Sequence, residues 1–254
     1  MNNNNQDTSW KNVGEWYSTS VGDRGSYYHQ RVILPNVERL LAIRPGQNVL
    51  DLGCGQGVLA RMAILKDFEY WGIDKAPNLI EEAKKLDRNP KHHYVTGDIV
   101  GNLSINKKFD HVVIILALQN VKSPFKVIRN VKNWLKTDGR VIIVLNHPCF
   151  RVPKHSDWGV DKLKNRQYRQ VDNYLTPLEI PIEASPFDKK SDTKTWSYHY
   201  PLSAYSEMLF DNGLVIEKIE EWKSDKLSTG GAAKMENQAR NEIPLFMAIM
   251  AKKA

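Results

Sequence analysis

Three glycines at alternate positions form the stretch with the clearest chemistry in this sequence, Asp51-Leu52-Gly53-Cys54-Gly55-Gln56-Gly57. The apolar pair Val49-Leu50 indicates the end of a buried strand before it, and residues 58–63 after it have the composition of a helix. A strand, a glycine turn and a helix build the crevice in which open α/β sheets bind nucleotides. Glycine lets the backbone turn tightly and approach a ligand closely. The stretch predicts such a site, although Val58 stands where the G-x-G-x-x-G dinucleotide fingerprint needs glycine.

Acidic side chains follow two of the predicted strands. Asp74 ends the strand predicted at residues 69–74, and Asp98 comes shortly after the strand predicted at residues 92–96. A carboxylate in the first position can accept hydrogen bonds from both ribose hydroxyls of an adenine nucleoside. Asp98 is placed to meet the adenine amino group, and Ile99 offers the ring an apolar face. Each acid alone could be a solvated loop residue, but the two together favour a nucleoside site.

The elements that must position these groups alternate between strands and helices. After the glycine turn, strands are predicted at residues 69–74, 92–96, 109–116 and 140–145. Helices are predicted at residues 27–42, 77–86 and 124–135, and a turn at residues 136–139. This βαβα rhythm predicts a doubly wound α/β fold with a parallel sheet. Residues 202–210 are predicted as a helix, and residues 214–222 and 243–251 as an antiparallel strand pair at the sheet edge.

Residues 45–147 resemble the class I S-adenosylmethionine (SAM) methyltransferases. The glycine stretch is similar to motif I of that family, Gly72-Ile73-Asp74 to motif II and Gly97-Asp98-Ile99 to motif III. Residues 198–203 resemble the small-molecule branch, methyltransferase type 11/25-like, which carries a cap after strand five. The resemblance implies a seven-stranded, mostly parallel, Rossmann-like sheet with strand order 3-2-1-4-5-7-6.

The same resemblance implies SAM as the cofactor and S-adenosyl-L-homocysteine (SAH) as its product. The cofactor-binding residues that it implies are Asp51, Gly53, Cys54, Gly55, Gly57, Asp74, Lys75, Asp98, Ile99 and Leu116. Leu116 ends strand four, where the methionine part of the cofactor and the substrate would meet. We expect Cys54 to be a small packing residue beside the cofactor and not a nucleophile.

Histidines are the candidates for acid–base catalysis. A methyl acceptor must be aligned, and an oxygen acceptor must also lose a proton, which suits histidine near pH 7. His147 directly follows strand five on the ligand side of the sheet and is the preferred candidate. His29, on the helix before strand one, and His199, at the end of the insertion, are the other two. A surface or structural histidine is the alternative for each.

Substrate contacts are predicted at Tyr28, Arg151 and Tyr198. Arg151 could pair with an anionic substrate or with Asp157. Aromatic residues near the start of the sequence could form a lid with a cation–π contact to the sulfonium, or could simply pack. They are Trp10, Trp16, Tyr17, Tyr27 and Tyr28.

Changes in composition divide the chain. Residues 1–12 are polar and asparagine-rich and are predicted to be disordered, and residues 13–254 are predicted to form a single methyltransferase domain. Within it we expect an N-terminal lid at about residues 13–43 and an irregular cap insertion at about residues 147–200. Long insertions in compact domains are usually lids or binding loops. Residues 228–231 indicate a second flexible insertion.

Composition also bounds the class of protein. Of the 254 residues, 41% are hydrophobic and 26% charged, which is ordinary globular usage. The sequence opens without a signal-peptide pattern and its longest apolar run is too short to span a bilayer, so we expect a cytoplasmic protein without a membrane partner. The two cysteines form no zinc pattern. Gln119 and Asn146 stand where metal-dependent O-methyltransferases need acids, so we expect no metal.

Basic clusters leave nucleic acid open as a partner without favouring it, at a net charge of +7. The first cluster is Lys122, Lys126, Arg129 and Lys136, and the second is Lys162, Lys164, Arg166 and Arg169. Each could be a solvated face or a nucleic-acid footprint, and no recognised RNA-binding module accompanies them.

The sequence therefore predicts an enzyme that transfers a methyl group from SAM to an oxygen or nitrogen of a small-molecule acceptor in an enclosed pocket. The Asn/Asp-Pro-Pro-Tyr signature of amino methylation is missing after strand four, where Leu116-Ala117-Leu118-Gln119 stands instead. Two alternatives remain. One is an RNA-directed methyltransferase, and the other is a SAM-binding regulatory subunit without catalysis.

Overall fold

The computed structural model of the chain describes residues 22, 24–62, 67–103, 105–183 and 194–254. The predicted disorder of residues 1–12 and the lid aromatics Trp10, Trp16 and Tyr17 lie outside this range. Among the described residues, no helix has both the length and the apolar character needed to cross a membrane.

A seven-stranded sheet forms the centre of the fold. Its strands are β1 (Asn48–Leu52), β2 (Glu69–Asp74), β3 (His92–Thr96), β4 (Phe109–Ile115), β5 (Leu135–Asn146), β10 (Leu214–Trp222) and β11 (Phe246–Lys253). They are ordered β3-β2-β1-β4-β5-β11-β10. Strands β1 to β5 pair in parallel, whereas β11 is antiparallel to both β5 and β10. The predicted order 3-2-1-4-5-7-6 is confirmed, with β10 and β11 as its sixth and seventh strands.

Helices cover both faces of the sheet, which explains why its central strands are apolar. The helices are α1 (Leu34–Leu41), α2 (Val58–Met62), α3 (Pro77–Leu86), α4 (Pro124–Trp134), α5 (Leu202–Asp211) and α6 (Ala233–Glu242). Val49 and Val113 pack with residues of α1, α2 and α3 on one face. Leu50 and Val112 pack with residues of α4 and α5 on the other. Because alternate side chains of a strand point to opposite faces, both sets become buried.

The first helix differs from the single helix predicted at residues 27–42. A π-helical turn, His29–Ile33, precedes α1. Pro35 has no N–H to donate to the preceding turn, so the hydrogen-bond ladder is interrupted there and α1 begins beside it. Ala42 ends α1 in the left-handed conformation, with φ 42°.

The turn predicted at residues 136–139 belongs to β5. Leu135 already pairs with Phe109, and the register then shifts before His111 pairs with Arg140. A Cβ on Gly139 would lie 2.8 Å from the carbonyl oxygen of Phe109. Glycine therefore permits a close approach at this irregularity, and the turn-like residues mark a distortion within the strand.

The insertion between β5 and α5 contains two hairpins, where the sequence indicated irregular structure. They are β6 (Ser156–Asp161) with β7 (Arg166–Val171), and β8 (Leu178–Glu183) with β9 (Lys194–His199). Each hairpin is a two-stranded sheet, so Pro181 stands in β8 without breaking a second ladder of hydrogen bonds. The first hairpin packs against α6, and the second against the 3₁₀ turn Leu118–Asn120 after β4.

Helix α6 follows the segment predicted as a flexible insertion at residues 228–231. Among its described residues, Ala239 alone is buried. So little apolar periodicity gives no helical signal in the sequence. Ile243 caps α6, and β11 consequently begins at Phe246 and not at residue 243.

Candidate active site

A cavity of about 500 Å³ opens at the carboxyl ends of the strands β1 to β5. We call the side formed after β1, β2 and β3 the motif end; its lining includes Gly53, Gly55, Asp74, Lys75, Gly97, Asp98 and Ile99. We call the side formed after β4 and β5 and by the insertion the insertion end; its lining includes Leu116, Ala117, Gln119, Asn120, Asn146, Pro153, Ile182 and Ser197. Open α/β sheets bind ligands at this edge.

The turn after β1 needs glycine at each of its three positions. Gly53, Gly55 and Gly57 have φ values of 77°, 54° and 73°, which L side chains rarely adopt. A Cβ on Gly53 would overlap the Cβ of Ala117, and one on Gly57 would overlap the ring of Tyr94. Gly53 and Gly55 line the cavity, whereas Gly57 supports the turn by packing on Tyr94.

Asp74 holds this turn and faces the cavity. Its Oδ2 accepts a hydrogen bond from Gly55 N at 2.9 Å, and its Oδ1 accepts one from Ala76 N at 2.9 Å. Burial raises the pKa of Asp74, while the backbone N–H groups act in the opposite direction. Each carboxylate oxygen keeps a lone pair for a further donor. The geometry is compatible with the predicted contact to ribose hydroxyls, which stays a prediction.

Lys75 and Asp98 form an ion pair at the motif end. Lys75 Nζ lies 3.2 Å from Asp98 Oδ2, and both side chains are about half exposed. Val100 N donates to Asp98 Oδ1 at 3.0 Å, and the buried Ile99 lines the cavity beside them. An exposed ion pair contributes little stability. Both charges therefore remain available to a ligand.

Asp51 and Cys54 lie beneath the turn, beside a second, smaller cavity. Tyr70 Oη donates to Asp51 Oδ2 at 2.7 Å, whereas Asp51 Oδ1 is buried and has no partner among the described residues. Burial raises the pKa of Asp51 to about 7. Burial also raises the pKa of the Cys54 thiol, which keeps it protonated and favours the packing role predicted for it.

Of the three candidate histidines, His29 is the one that lines the cavity among the described residues. Its Nδ1 lies 2.8 Å from Ser26 Oγ. Burial lowers the pKa of His29, so the imidazole is neutral near pH 7. A neutral imidazole beside a cavity can accept a proton from a ligand.

His147 is held by the protein at both ring nitrogens. Nε2 lies 2.6 Å from Glu221 Oε1, and Nδ1 accepts a hydrogen bond from Cys149 N at 3.2 Å. The side chain is buried and does not belong to the cavity lining within the described residues. The preferred sequence candidate therefore has no free nitrogen for an acceptor in this arrangement. This geometry favours a structural role, and the catalytic one stays a prediction.

His199, Tyr198 and Tyr28 lie close to the cavity without lining it among the described residues. His199 is buried, and its Nε2 lies 2.7 Å from Tyr174 O. Tyr198 is also buried, and the residue before it, Ser197, lines the cavity instead. Tyr28 Oη lies 3.1 Å from a serine hydroxyl after β10. Their roles at the site stay predictions.

Several polar residues at the insertion end were not identified from the sequence as site residues. Gln119 Oε1 accepts a hydrogen bond from Asn146 N at 2.9 Å, which joins the ends of β4 and β5. Asn120 Nδ2 donates to the carbonyl of Leu116 at 3.2 Å, and Leu116 has a left-handed φ of 53°. Such strain in a non-glycine residue is often found at functional sites. The only sequence signal for these polar residues was their position directly after predicted strands, and no motif distinguishes them from other loop residues.

Arg151 is not paired with Asp157, the structural partner that the sequence offered. Asp157 Oδ1 instead accepts the N–H of Trp158 at 2.7 Å. The Arg151 guanidinium lies 5.4 Å from the centre of the Trp158 ring. Burial, with the nearby Arg169 second, lowers the pKa of Arg151 to about 10.

A family model described as a methyltransferase domain matches residues 26–218 of the 254-residue chain. The chain therefore belongs to this methyltransferase family. A crystal structure of an S-adenosylmethionine-dependent methyltransferase from Mesorhizobium loti shares the fold, with a TM-score of 0.67 and 21% identity over 91% of this chain and 100% of that one. The resemblance to class I SAM-dependent methyltransferases is thus confirmed.

Curated relatives add names of particular methyltransferases. A demethylmenaquinone methyltransferase from Thermotoga maritima is 29% identical over 42% of this chain and 47% of that protein. The chain thus spans about half the length of this relative. A ubiquinone biosynthesis O-methyltransferase from Coxiella burnetii is 24% identical over 74% of this chain and 82% of that protein.

Proposed function

We propose that this chain uses SAM to methylate an oxygen or nitrogen atom of a small-molecule acceptor. One observation carries the proposal: a single cavity is lined at one end by residues of all three family motifs and at the other by polar residues beneath the insertion. A cavity of about 500 Å³ lies within the usual range for small-molecule sites.

The motif end fits SAM. Asp74 would accept hydrogen bonds from the ribose hydroxyls, Asp98 would accept one from the adenine amino group, and Ile99 would pack on the ring. Gly53 leaves room for close approach, and Asp51 Oδ1 is a buried acceptor without a partner among the described residues. When bound, SAM supplies a methyl group on a positively charged sulfur.

His29 is the base that we assign. When Nδ1–H donates to Ser26 Oγ, Nε2 keeps its lone pair, and the described residues offer Nε2 no hydrogen-bond partner. Nε2 would take the proton that the acceptor atom loses on methylation, while the bond between the methyl carbon and the sulfur of SAM breaks and SAH is the leaving group. His147 and His199, which bond to Glu221 and Tyr174, hold the loops around the cavity.

The acceptor is a small molecule in this proposal because the insertion encloses one end of the cavity. The names of the curated relatives, a demethylmenaquinone methyltransferase and a ubiquinone biosynthesis O-methyltransferase, support the same class of acceptor. RNA is the rival acceptor, and the two basic clusters are the observation that favours it. Lys122 in the first cluster pairs with Glu179, and Lys136 pairs with Asp110, so part of that charge is already compensated.

Calorimetry with SAM and SAH tests cofactor binding. The parent chain and Asp211→Ala, which changes an exposed acid outside the cavity, should bind both compounds. Asp74→Ala should bind them at least about 100-fold more weakly, since it loses the contacts to the ribose and to the glycine turn. No binding by the parent, or equal binding by Asp74→Ala, would end the proposal.

A screen with labelled SAM tests the acceptor. Label transferred to the small molecules of a cell extract supports the proposal. Label transferred to purified tRNA or rRNA, with binding that weakens steeply as salt rises, favours the RNA-directed alternative. Tight SAM binding without transfer to either pool favours the regulatory subunit.

A further inference from the structure

Arg151 is a largely buried cation without a counter-ion among the described residues. Its Nε is buried and has no hydrogen-bond partner there. None of the ion pairs found among the described residues includes Arg151, and the charged residue that lowers the pKa of Arg151 most is another cation, Arg169. A buried charge is costly unless an opposite charge or hydrogen bonds compensate it. An anion bound beside Arg151 would therefore compensate this charge.

Arg169 cannot be the counter-ion of Arg151 because it is also a cation, and its own Nε and Nη2 donors are already used in hydrogen bonds. Its Nε donates to Phe150 O at 2.7 Å, and its Nη2 donates to Ser156 O at 3.1 Å and to Ser156 Oγ at 2.7 Å. Its guanidinium lies 5.3 Å from the centre of the same Trp158 ring that Arg151 approaches at 5.4 Å. Arg169 thus fixes the segment that carries Arg151, and adds positive potential beside it.

The position of Arg151 connects it with the insertion end of the cavity. Pro153, two positions further along the chain, lines the cavity. On the other side, Tyr28 is close enough to influence the ionisation of Arg151, and the next residue, His29, also lines the cavity. Arg151 itself does not line the cavity among the described residues, so an acceptor whose reacting atom lies at His29 would reach the Arg151 guanidinium past these two neighbours.

We propose that Arg151 binds an oxyanion group, a carboxylate or a phosphate, of the methyl acceptor. This inference rests on the proposed function and narrows it: the acceptor is an organic anion, bound by Arg151 through that group and methylated at another oxygen or nitrogen atom. A guanidinium presents parallel N–H donors that match both oxyanions. Contact with Trp158 limits the motion of the side chain, which favours ordered binding.

Binding of matched probes tests the charge requirement. The full chain, loaded with SAH, is titrated calorimetrically with benzoate, with phenyl phosphate and with the neutral benzamide at constant ionic strength. We expect at least one anion to bind at least about tenfold more tightly than benzamide, and the stronger of the two identifies the oxyanion. Equal binding of the three probes, or no binding of either anion, would overturn the inference.

Two variants and a control assign the effect to Arg151. Arg151→Gln should lose at least about tenfold in anion affinity, whereas Arg151→Lys should keep part of it because the charge remains. Arg166→Gln removes an exposed cation of β7, in the hairpin that follows Arg151 along the chain, and should match the parent. If Arg151→Gln folds, binds SAH and keeps the parental anion affinity, Arg151 is not the site.

SAH binding separates this inference from the proposed function. It is measured first in every variant, by calorimetry and by the rise in thermal unfolding temperature that a ligand produces. Failure of the parent to bind SAH would contradict the proposed function. Normal SAH binding without discrimination between the anions and benzamide would contradict the role of Arg151 alone. With an acceptor from the screen, Arg151→Gln should raise KM and preserve kcat.

Discussion

The motif end and the insertion end of the cavity are constructed in different ways. At the motif end, functional groups follow directly from strands of the central sheet, and backbone N–H groups fix them, as Gly55 and Ala76 do for Asp74. At the insertion end, contacts join segments that are distant along the chain. His147 bonds to Glu221 on β10, and Arg169 bonds to Phe150 and Ser156 across the base of a hairpin.

Because of this difference, the two ends should respond differently to substitutions. A backbone N–H stays in place when the side chain of its own residue changes, so the motif end depends on few side chains and on the glycine conformations. A contact between two side chains requires both residues, so the insertion end changes with either partner. We therefore expect substitutions at the motif end to alter folding or SAM affinity. Substitutions at the insertion end should preserve SAM affinity and act instead on acceptor binding or on stability.

The largest effect is expected from Gly53→Ala. The change places a side chain at φ 77° and against the Cβ of Ala117, so the free energy of unfolding should fall by about 3 kcal/mol or more. Urea denaturation measures this loss. Gly46→Ala is the matched control, because Gly46 has φ 80° but nothing within 4 Å, and it should cost about 1 kcal/mol. Equal losses in both variants would mean that contact with Ala117 is unimportant.

His29→Ala should lower kcat by about 100-fold and leave SAM affinity nearly unchanged, since the general base is lost. The comparison is His147→Ala, measured with the same acceptor. It should keep the parental kcat and lose about 1–3 kcal/mol of stability, because Glu221 and Cys149 N lose their partner. A folded His147→Ala with a 100-fold lower kcat and normal SAM affinity would instead assign catalysis to His147.

Asp98→Asn should weaken SAM binding by about tenfold without a measurable change in stability. The carboxylate would lose its charge toward the adenine amino group, while its half-exposed pair with Lys75 contributes little to folding. Calorimetry and urea denaturation measure the two quantities, with Asp211→Asn as the exposed control. A loss of stability together with unchanged SAM affinity would make Asp98 a structural residue.

The smallest effect concerns pH. Burial lowers the pKa of His29, His147 and His199 below the ordinary value of 6.5. The unfolded chain therefore binds more protons than the folded chain as the pH falls below 6.5, and stability present above that value is lost on acidification. The raised pKa of Asp51 acts in the opposite direction, so the loss due to the histidines is measured as the difference between parent and variant in urea denaturation at pH 7.5 and pH 5.5. His147→Gln should reduce it, and the exposed control His93→Gln should not.

The sheet and the motif end were predictable because their signals are local. Each signal lies within a few residues: three alternate glycines, Gly53, Gly55 and Gly57, predict the turn, and acids at strand ends predict the groups beside it. The insertion end depends on pairs that no short pattern contains. His147 was correctly located at the exit of β5, but its partner Glu221 lies on another strand. Asn146 drew notice in the sequence only as a missing metal ligand, and it lines the cavity.

The placement of β11 has a consequence for the order in which the molecule can be completed during synthesis. β11 fills the space between β5 and β10, although every other strand of the sheet precedes it along the chain. Until residues 246–253 leave the ribosome, β5 keeps an open edge and β10 has no neighbour in the sheet. The bond between His147 and Glu221 joins the carboxyl ends of β5 and β10. The start of the insertion therefore cannot be fixed until β11 has been synthesised and has paired with both strands. A nascent chain can thus form the motif end of the cavity well before the insertion end.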